Sequence, residues 1–360
     1  MGPFYNQKPC KKEQNSNSNI FYHFAMGKIA EYMVLLRFPG LGGLAIPPVI
    51  AALTVGNFDP LTLVLLFLLG AYSSIFGFVL NDFIDVEVDK KSKELHDRPL
   101  VSGSISQSTA LWICFICIML TFLTFFILFY GEMITYLRFL SIICILLAWL
   151  LGSIYDVYGK KIFASDILVA LSIAFIFLIG AFALDKEPTL FTWIIFILTF
   201  NNLFHMNAVE GGIKDADHDV LMNVNNIALR SGVRVDGKKL TIPTRFKILG
   251  MSVRLSSVIL LFSPFLIFNE PYYLWQLVIL ALASAGVLYF SVKLLSLKEF
   301  ERNTIRKYIS IQSFLRYSLV PIMLFSVIGI IPAVILIFLP IIWYIGFTPL
   351  TGVKFLRPRM

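Results

Sequence analysis

The sequence predicts an all-α polytopic membrane protein, and three observations carry that reading. Hydrophobic residues make up 58% of the 360 residues and charged residues only 14%, against about 25% charged in an ordinary soluble domain. A soluble fold this apolar lacks the polar surface to cover its core. Runs of roughly 20 apolar residues recur along the chain, the length a helix needs to cross hydrocarbon. The runs show no barrel-like alternation, and an open sheet leaves backbone groups unpaired in lipid, so they are helical. The same composition excludes a disordered chain, a coiled coil and a disulfide scaffold.

Taken in order, nine spans are expected, near 32–55, 61–80, 108–130, 133–154, 163–184, 188–207, 248–268, 272–294 and 317–346. Short connections (Asn57 to Pro60, Gly131 to Thr135, Asp185 to Pro188, Asn269 to Pro271) alternate with long polar ones, 81–107, 155–162, 208–247 and 295–316. The long ones follow even-numbered spans and therefore share one membrane face. They also carry most of the Lys and Arg, among them Lys90, Lys91, Arg230, Lys238, Arg302 and Arg306. The positive-inside rule places that face and the N-terminus in the cytoplasm of a multi-pass protein of the cell membrane. The net charge of +8, from 30 basic against 22 acidic residues, fits such loops and contact with anionic lipid. Too little soluble sequence remains to read nucleic acid. The last run holds Pro321, Pro332 and Pro340. It is read as one long kinked helix, which leaves the tail with Lys354, Arg357 and Arg359 on the opposite face, ahead of the alternative of two short helices that return the tail to the cytoplasm.

Flanking segments complete the organisation. Residues 1–25 form a polar extension, expected to be disordered and lacking the apolar core of a signal peptide. Residues 26–347 form the transmembrane domain, and 348–360 a basic tail. Cys114 and Cys117 have C-x-x-C spacing but lie inside an apolar run, so helix packing is favoured over redox work or metal binding.

Two acidic motifs carry the chemistry. In N-D-F-I-D-V-E-V-D, residues 81–89, Asp82, Asp85 and Asp89 fall on one helical face at the end of span two. Like charges at that spacing repel, and oxygen ligands without Cys or His suit Mg2+ or Mn2+. In G-I-K-D-A-D-H-D, residues 212–219, Asp215 and Asp219 share a face just past span six, with Asp217 and His218 turned elsewhere. Five carboxylates meeting at one mouth need cations. Two Mg2+ with a diphosphate between them make the site consistent. Tyr155, Lys160 and Lys161 follow span four on the same face. They are either phosphate contacts or an interfacial anchor. Arg37 either snorkels to head groups or turns inward to the anion. Asn201, Asn202, His205, Asn207 and Glu210 make the end of span six polar and are read as lining a cavity.

These motifs, with R-P-L-V-S-G at 98–103 and the order N-D-x-x-D-x-x-x-D, tyrosine–lysine, E-x-x-I-K-D-x-x-x-D, resemble the UbiA-type intramembrane prenyltransferase superfamily from about Arg37 to the last span. The resemblance implies a nine-helix bundle around a central cavity with cytoplasmic cap loops and a side opening for lipid. It implies that Asp82, Asp85, Asp89, Asp215 and Asp219 hold two Mg2+. Asn81, Arg98, Tyr155, Lys160 and Lys214 would serve the diphosphate, with Lys93 sharing the role of Arg98 and Arg37 matching a family arginine. The Asn that usually follows that arginine is Gly40 or Gly43 here. The implied reaction is Mg-dependent prenyl transfer from a polyprenyl diphosphate to a lipophilic acceptor, aromatic or glycerol-phosphate-like, releasing diphosphate. Donor length, acceptor and oligomeric state stay open at this point. The alternatives are phosphoribosyl transfer to polyprenyl phosphate within the superfamily and, in a different class, an ion-coupled transporter.

Overall fold

A computed structural model describes residues 27–90 and 95–351; the expectations for the N-terminal extension, Lys93 and most of the basic tail lie outside them. Span one is three helices, α1 (27–35), α2 (Phe38–Leu44) and α3 (Pro47–Thr54). Proline near the start of α2 and of α3 interrupts the ladder, and Arg37 between the first two adopts a left-handed backbone, φ 46°. The first acidic motif continues α4 (Pro60–Ile84), which passes through Asp85 into α5 (Val86–Asp89). Helices α6 (Pro99–Ser102), α7 (Gln107–Leu128), α8 (Tyr136–Tyr158) and α9 (Asp166–Phe182) follow. Side chains of Asp59, Ser106 and Thr135 cap α4, α7 and α8 by accepting a first-turn N–H, and this fixes where each helix begins.

Helix α9 is the buried centre of the bundle. It packs on α3 and α8, and a Cβ at Gly180 would fall on the carbonyl oxygen of Pro48. Close approach of two backbones needs a residue without a side chain. Gly180→Val is expected to force α9 off α3 and cost about 1–3 kcal/mol, read as a lower unfolding temperature of the purified protein in detergent.

Helix α10 (Leu190–Phe204) runs into a π-helical segment, His205–Gly211, and then α11 (Gly212–Lys214) and α12 (Ala216–Leu221). The polar connection continues through α13 (Ile227–Arg230) and a hairpin of β1 (Arg234–Asp236) and β2 (Lys239–Thr241), turned at Gly237 with φ 57°. The bundle ends with α14 (Thr244–Leu266), α15 (Leu274–Leu295), α16 (Arg302–Met323), α17 (Phe325–Ile328) and α18 (Ile330–Phe347).

Alternate connections gather at the two ends, as their lengths predicted. At one end Lys160 meets Asp85, the Asn225 N–H donates to the Lys160 carbonyl, and Leu240 N–H donates to the Lys298 carbonyl. At the other, Thr135 donates to Asp185 and Thr189 to the Thr54 carbonyl.

The last run departs from expectation in two ways. Connection 295–316 is not a loop, because α16 begins at Arg302. The expected single helix over 317–346 is broken at Leu324–Gly329, where Gly329 takes φ 77°. Gln276 at the start of α15 donates to the carbonyls of Ile322 and Met323 at the end of α16. Trp343 in α18 donates to the Phe38 carbonyl beside Arg37. Helix α18 therefore returns the chain to the end where the acids lie, instead of leaving it opposite. Among the described residues eight helical stretches are long and apolar enough to cross a membrane; α9, with 17 residues, is a shorter apolar helix. These helices bear out the polytopic helical fold without confirming the exact count of nine spans. Cys114, Cys117 and Cys144 are buried packing residues.

Candidate active site

A cavity of about 560 Å³ opens at the end that carries the acidic motifs. Its deeper wall is apolar, with Phe76, Trp149, Ile173 and Ile176. At its mouth stand side chains from separate segments. Asn81 and Asp85 come from the end of α4, Tyr155 and Asp156 from the end of α8, Lys160 from the α8–α9 connection, and Lys214, Asp215 and Asp219 from the segment after the π-helix.

Every acid of the two motifs has a polar partner here. Arg37 Nη2 lies 2.9 Å from Asp82 Oδ1, and Arg98 Nη1 lies 3.4 Å from Asp82 Oδ1 and 2.6 Å from Asp89 Oδ2. Asp82 and Asp89 are buried under these arginines and do not line the cavity. Lys160 Nζ reaches Asp85 Oδ1 at 2.5 Å. Lys214 lies 3.3 Å from Asp215, and Asn226 donates to Asp219 Oδ2 at 2.7 Å. Lys161 is exposed, away from the cavity, and Asp217 is bound by Arg302 at 2.7 Å. His218 does not line the cavity. Burial pushes the Asp89 carboxyl up, against the pull of Arg98. Burial also pushes Asp219 up, to about 7, with Asp215 adding to the shift and Lys160 opposing it.

Two groups contain residues the sequence reading did not single out, Asp156 and Asp166 in the first and Arg254 and Arg316 in the second. Asp156 accepts from Asn81 at 3.1 Å, and Asp166, first in α9, lines the same cavity. Each was hidden by a stronger neighbour, Tyr155 in one case and an apolar run in the other. The second group lies within the bundle. Glu210, 1% exposed, accepts from Arg254 and Arg316, each at 2.6 Å, with His205 Nδ1 at 3.4 Å. The polar end of span six thus divides. Asn207 and Glu210 line the cavity, while Asn201 donates to Ser256, Asn202 accepts from Arg254, and His205 is wholly buried. The π-turn adds a residue to the coil and lets one face meet α14 while the next residues turn to the cavity.

The oxygen-only donors at the mouth, Asp85, Asp156, Asp215, Asp219 and the Asn81 amide, suit a hard divalent cation. Among the described residues no three His, Cys, Asp or Glu side chains stand close enough to share one ion as placed. Lysine, arginine and asparagine hold the carboxylates instead.

With this geometry in hand, comparison with known proteins identifies the family. The sequence pattern described as the UbiA prenyltransferase family matches residues 44–311, well over half of the chain. The chain belongs to the UbiA prenyltransferase family. Among curated proteins it is similar to 4-hydroxybenzoate octaprenyltransferases of Francisella tularensis, 26% identical over 160 residues (subspecies mediasiatica) and 29% over 161 residues (strain SCHU S4). Each alignment covers 44% of this chain and 52% of the relative, so the chain spans about half the length of the curated relatives it matches. A solved digeranylgeranylglyceryl phosphate synthase superposes with TM-score 0.60 at 19% identity, covering 84% of this chain and 99% of that one. A UbiA homologue from Archaeoglobus fulgidus, solved with DMAPP and Mg2+, gives 0.56 at 19%, covering 83% and 99%. These structures establish the shared fold. The apolar helices and the family together make this a multi-pass membrane protein. The family match stops at residue 311, so the second half of α16 and all of α18 lie beyond it.

Proposed function

We propose that this UbiA-family protein transfers a prenyl group from a polyprenyl diphosphate to a lipophilic acceptor, with Mg2+ (or Mn2+) as cofactor and with the acidic mouth in the cytoplasm. The observation that carries the reading is the meeting of Asp85, Asp215, Asp219, Lys160 and Lys214, from three segments, at the mouth of one apolar cavity. The curated relatives act as 4-hydroxybenzoate octaprenyltransferases and the Archaeoglobus homologue binds DMAPP with Mg2+, which supports a prenyl diphosphate as the donor class.

In this reading Asp85, Asp215 and Asp219 hold the divalent cation, which supplies positive charge to the leaving diphosphate. Asp85 and Asp215 each hold a lysine in the structure. With the ion bound, each carboxylate would stay neutralised, and Lys160 and Lys214 would be free to bind phosphate oxygens as point charges. Tyr155 and Asn81 add hydrogen bonds at the same mouth. Arg37 on the cavity wall and Arg98 behind it hold Asp82 and Asp89, so that the end of α4 keeps its place. The isoprenoid lies along the apolar wall. There water is excluded as the C1–oxygen bond breaks, its electron pair leaving with the diphosphate, and the acceptor bonds to C1 and gives up the proton of its attacking ring carbon or hydroxyl to a carboxylate of the mouth. The acids sit at one end of the bundle, whereas a transporter's ion sites are expected near the midplane.

The test is direct. Purified protein given geranyl or longer prenyl diphosphates and a panel of acceptors is expected to release diphosphate and form prenylated product in equal amounts, and EDTA is expected to abolish both. Flux in liposomes without product would contradict the reading. A second expectation concerns pH. Burial, with Asp215 beside it, pushes the Asp219 carboxyl up to about 7, and a cation that binds there must displace the proton it carries. Mn2+ affinity, followed by electron paramagnetic resonance, is expected to fall about tenfold per unit as pH drops below 7, and to lose that slope in Asp219→Asn.

A further inference from the structure

Among the described residues four basic side chains line the cavity: Arg37, Lys160, Lys214 and Arg306. Three are held by carboxylates, namely Asp82, Asp85 and Asp215. Arg306 has no carboxylate partner among the described residues, and its buried Nε makes no hydrogen bond. The acids that its own helix meets are already engaged, Asp217 with Arg302 and Glu210 with Arg316. A half-buried guanidinium on the cavity wall, with no hydrogen bond to a described residue, is available to an anion.

Arg306 also stands in a row. Arg306, Ser310, Ser313 and Tyr317 follow one another at i, i+4, i+7 and i+11 on α16, so they share one helical face, and all four line the cavity. Ser313 Oγ accepts from Arg316 and donates to the Ile309 carbonyl. Beyond the serines the face becomes aromatic, where Phe314 meets Tyr344 of α18 at 5.8 Å between ring centres. This wall runs from cation through hydroxyl to aromatic ring. It is built by α16, whereas the carboxylates and lysines of the donor site come from α4, the α8–α9 connection and residues 212–219. A cavity with two polar walls from separate elements suits two ligands. The second of them would carry an anionic head and an apolar body.

We propose that Arg306, with Ser310 beside it, binds the anionic head group of the acceptor, a carboxylate or a phosphate, and so selects acidic acceptors over neutral ones. The inference rests on the prenyl-transfer reading above. Bidentate recognition by a guanidinium is lost with alanine and only partly replaced by lysine.

The experiment compares wild type, Arg306→Ala and Arg306→Lys. Its first arm needs no turnover. Thermal stabilisation of the donor-free protein is measured with 4-hydroxybenzoate and with a geranylgeranylglyceryl phosphate, each against its neutral counterpart (the methyl ester and the dephosphorylated lipid). Wild type is expected to be stabilised by at least one of the acids and not by its counterpart. Arg306→Ala is expected to lose that shift and Arg306→Lys to keep part of it; which acid acts separates carboxylate from phosphate. The second arm measures kinetics with geranyl diphosphate and Mg2+. KM for the acidic acceptor is expected to rise about 10–100-fold in Arg306→Ala, with the KM for geranyl diphosphate within about twofold of wild type. No stabilisation of wild type by either acid overturns the proposal. So does an equal loss for acid and neutral forms, or a rise in donor KM matching that for acceptor. Absence of turnover with intact acid binding would instead strike at the prenyl-transfer reading alone.

Discussion

Replacing Asp85 with alanine is expected to lower prenyl transfer by at least about 10³-fold while leaving the protein folded. Asp85 sits where α4 gives way to α5, lines the cavity, and holds Lys160 across 75 positions of sequence. Its removal takes a ligand from the cation and leaves Lys160 without its partner. The expected loss lies in kcat and in Mg2+ dependence together, because both follow from one lost oxygen ligand. Asp85→Asn retains shape and a carbonyl oxygen but not the charge, so it is expected to recover little. Asp217→Ala is the matched control. That residue belongs to the same acidic run as Asp215 but pairs with Arg302 outside the cavity, and its loss is expected to change activity by less than about threefold.

The largest expected effect on stability is at Glu210. Its carboxylate is 1% exposed and accepts from Arg254, also 1% exposed, and from Arg316. Glu210→Ala leaves two guanidiniums facing each other in the bundle with no carboxylate between them. Breaking a buried pair from one side costs about 3–5 kcal/mol. With two arginines stranded, the loss is expected at the upper end, read as a fall in unfolding temperature or failure to purify as a single species. The joint replacement of Glu210, Arg254 and Arg316 by Gln, Met and Met is expected to recover much of the stability, since no buried charge then lacks a partner. These residues join the π-turn of 205–211 to α14 and α16. The triple variant is therefore expected to be stable yet slow, because Asp215 follows that turn by four residues.

Much of this arrangement was legible in the chain. Hydropathy found the helices, and the alternation of short and long connections placed 81–107, 155–162 and 208–247 at one end, where Lys160 touches both Asp85 and the Asn225 loop. The spacing of the acids marked the segments at the cavity mouth. Periodicity alone did not show which carboxylates face it. Asp82 and Asp85 lie three apart on one helical face, yet the first turns under Arg37 and the second lines the cavity. That difference depends on where an arginine from α1–α2 arrives, which is a tertiary fact. Arg254 and Arg316 were masked by the apolar runs around them, and their partner Glu210 was read by its neighbourhood and not by its own contacts. The last run was mistaken for one helix because prolines at 321, 332 and 340 suggested kinks. The actual break uses Gly329 in a left-handed conformation, and the polar stretch from Arg302 had been assigned to a loop when its apolar face begins the helix.

The central claim is that two acidic segments, far apart in sequence, act on one ligand. Isothermal titration of geranyl diphosphate into purified protein with and without Mg2+ tests it, using wild type, Asp85→Asn and Asp215→Asn. The account predicts Mg2+-dependent binding by wild type and its loss in each single variant, with both variants still folded. Undiminished Mg2+-dependent binding in either variant would show that its segment does not belong to the site.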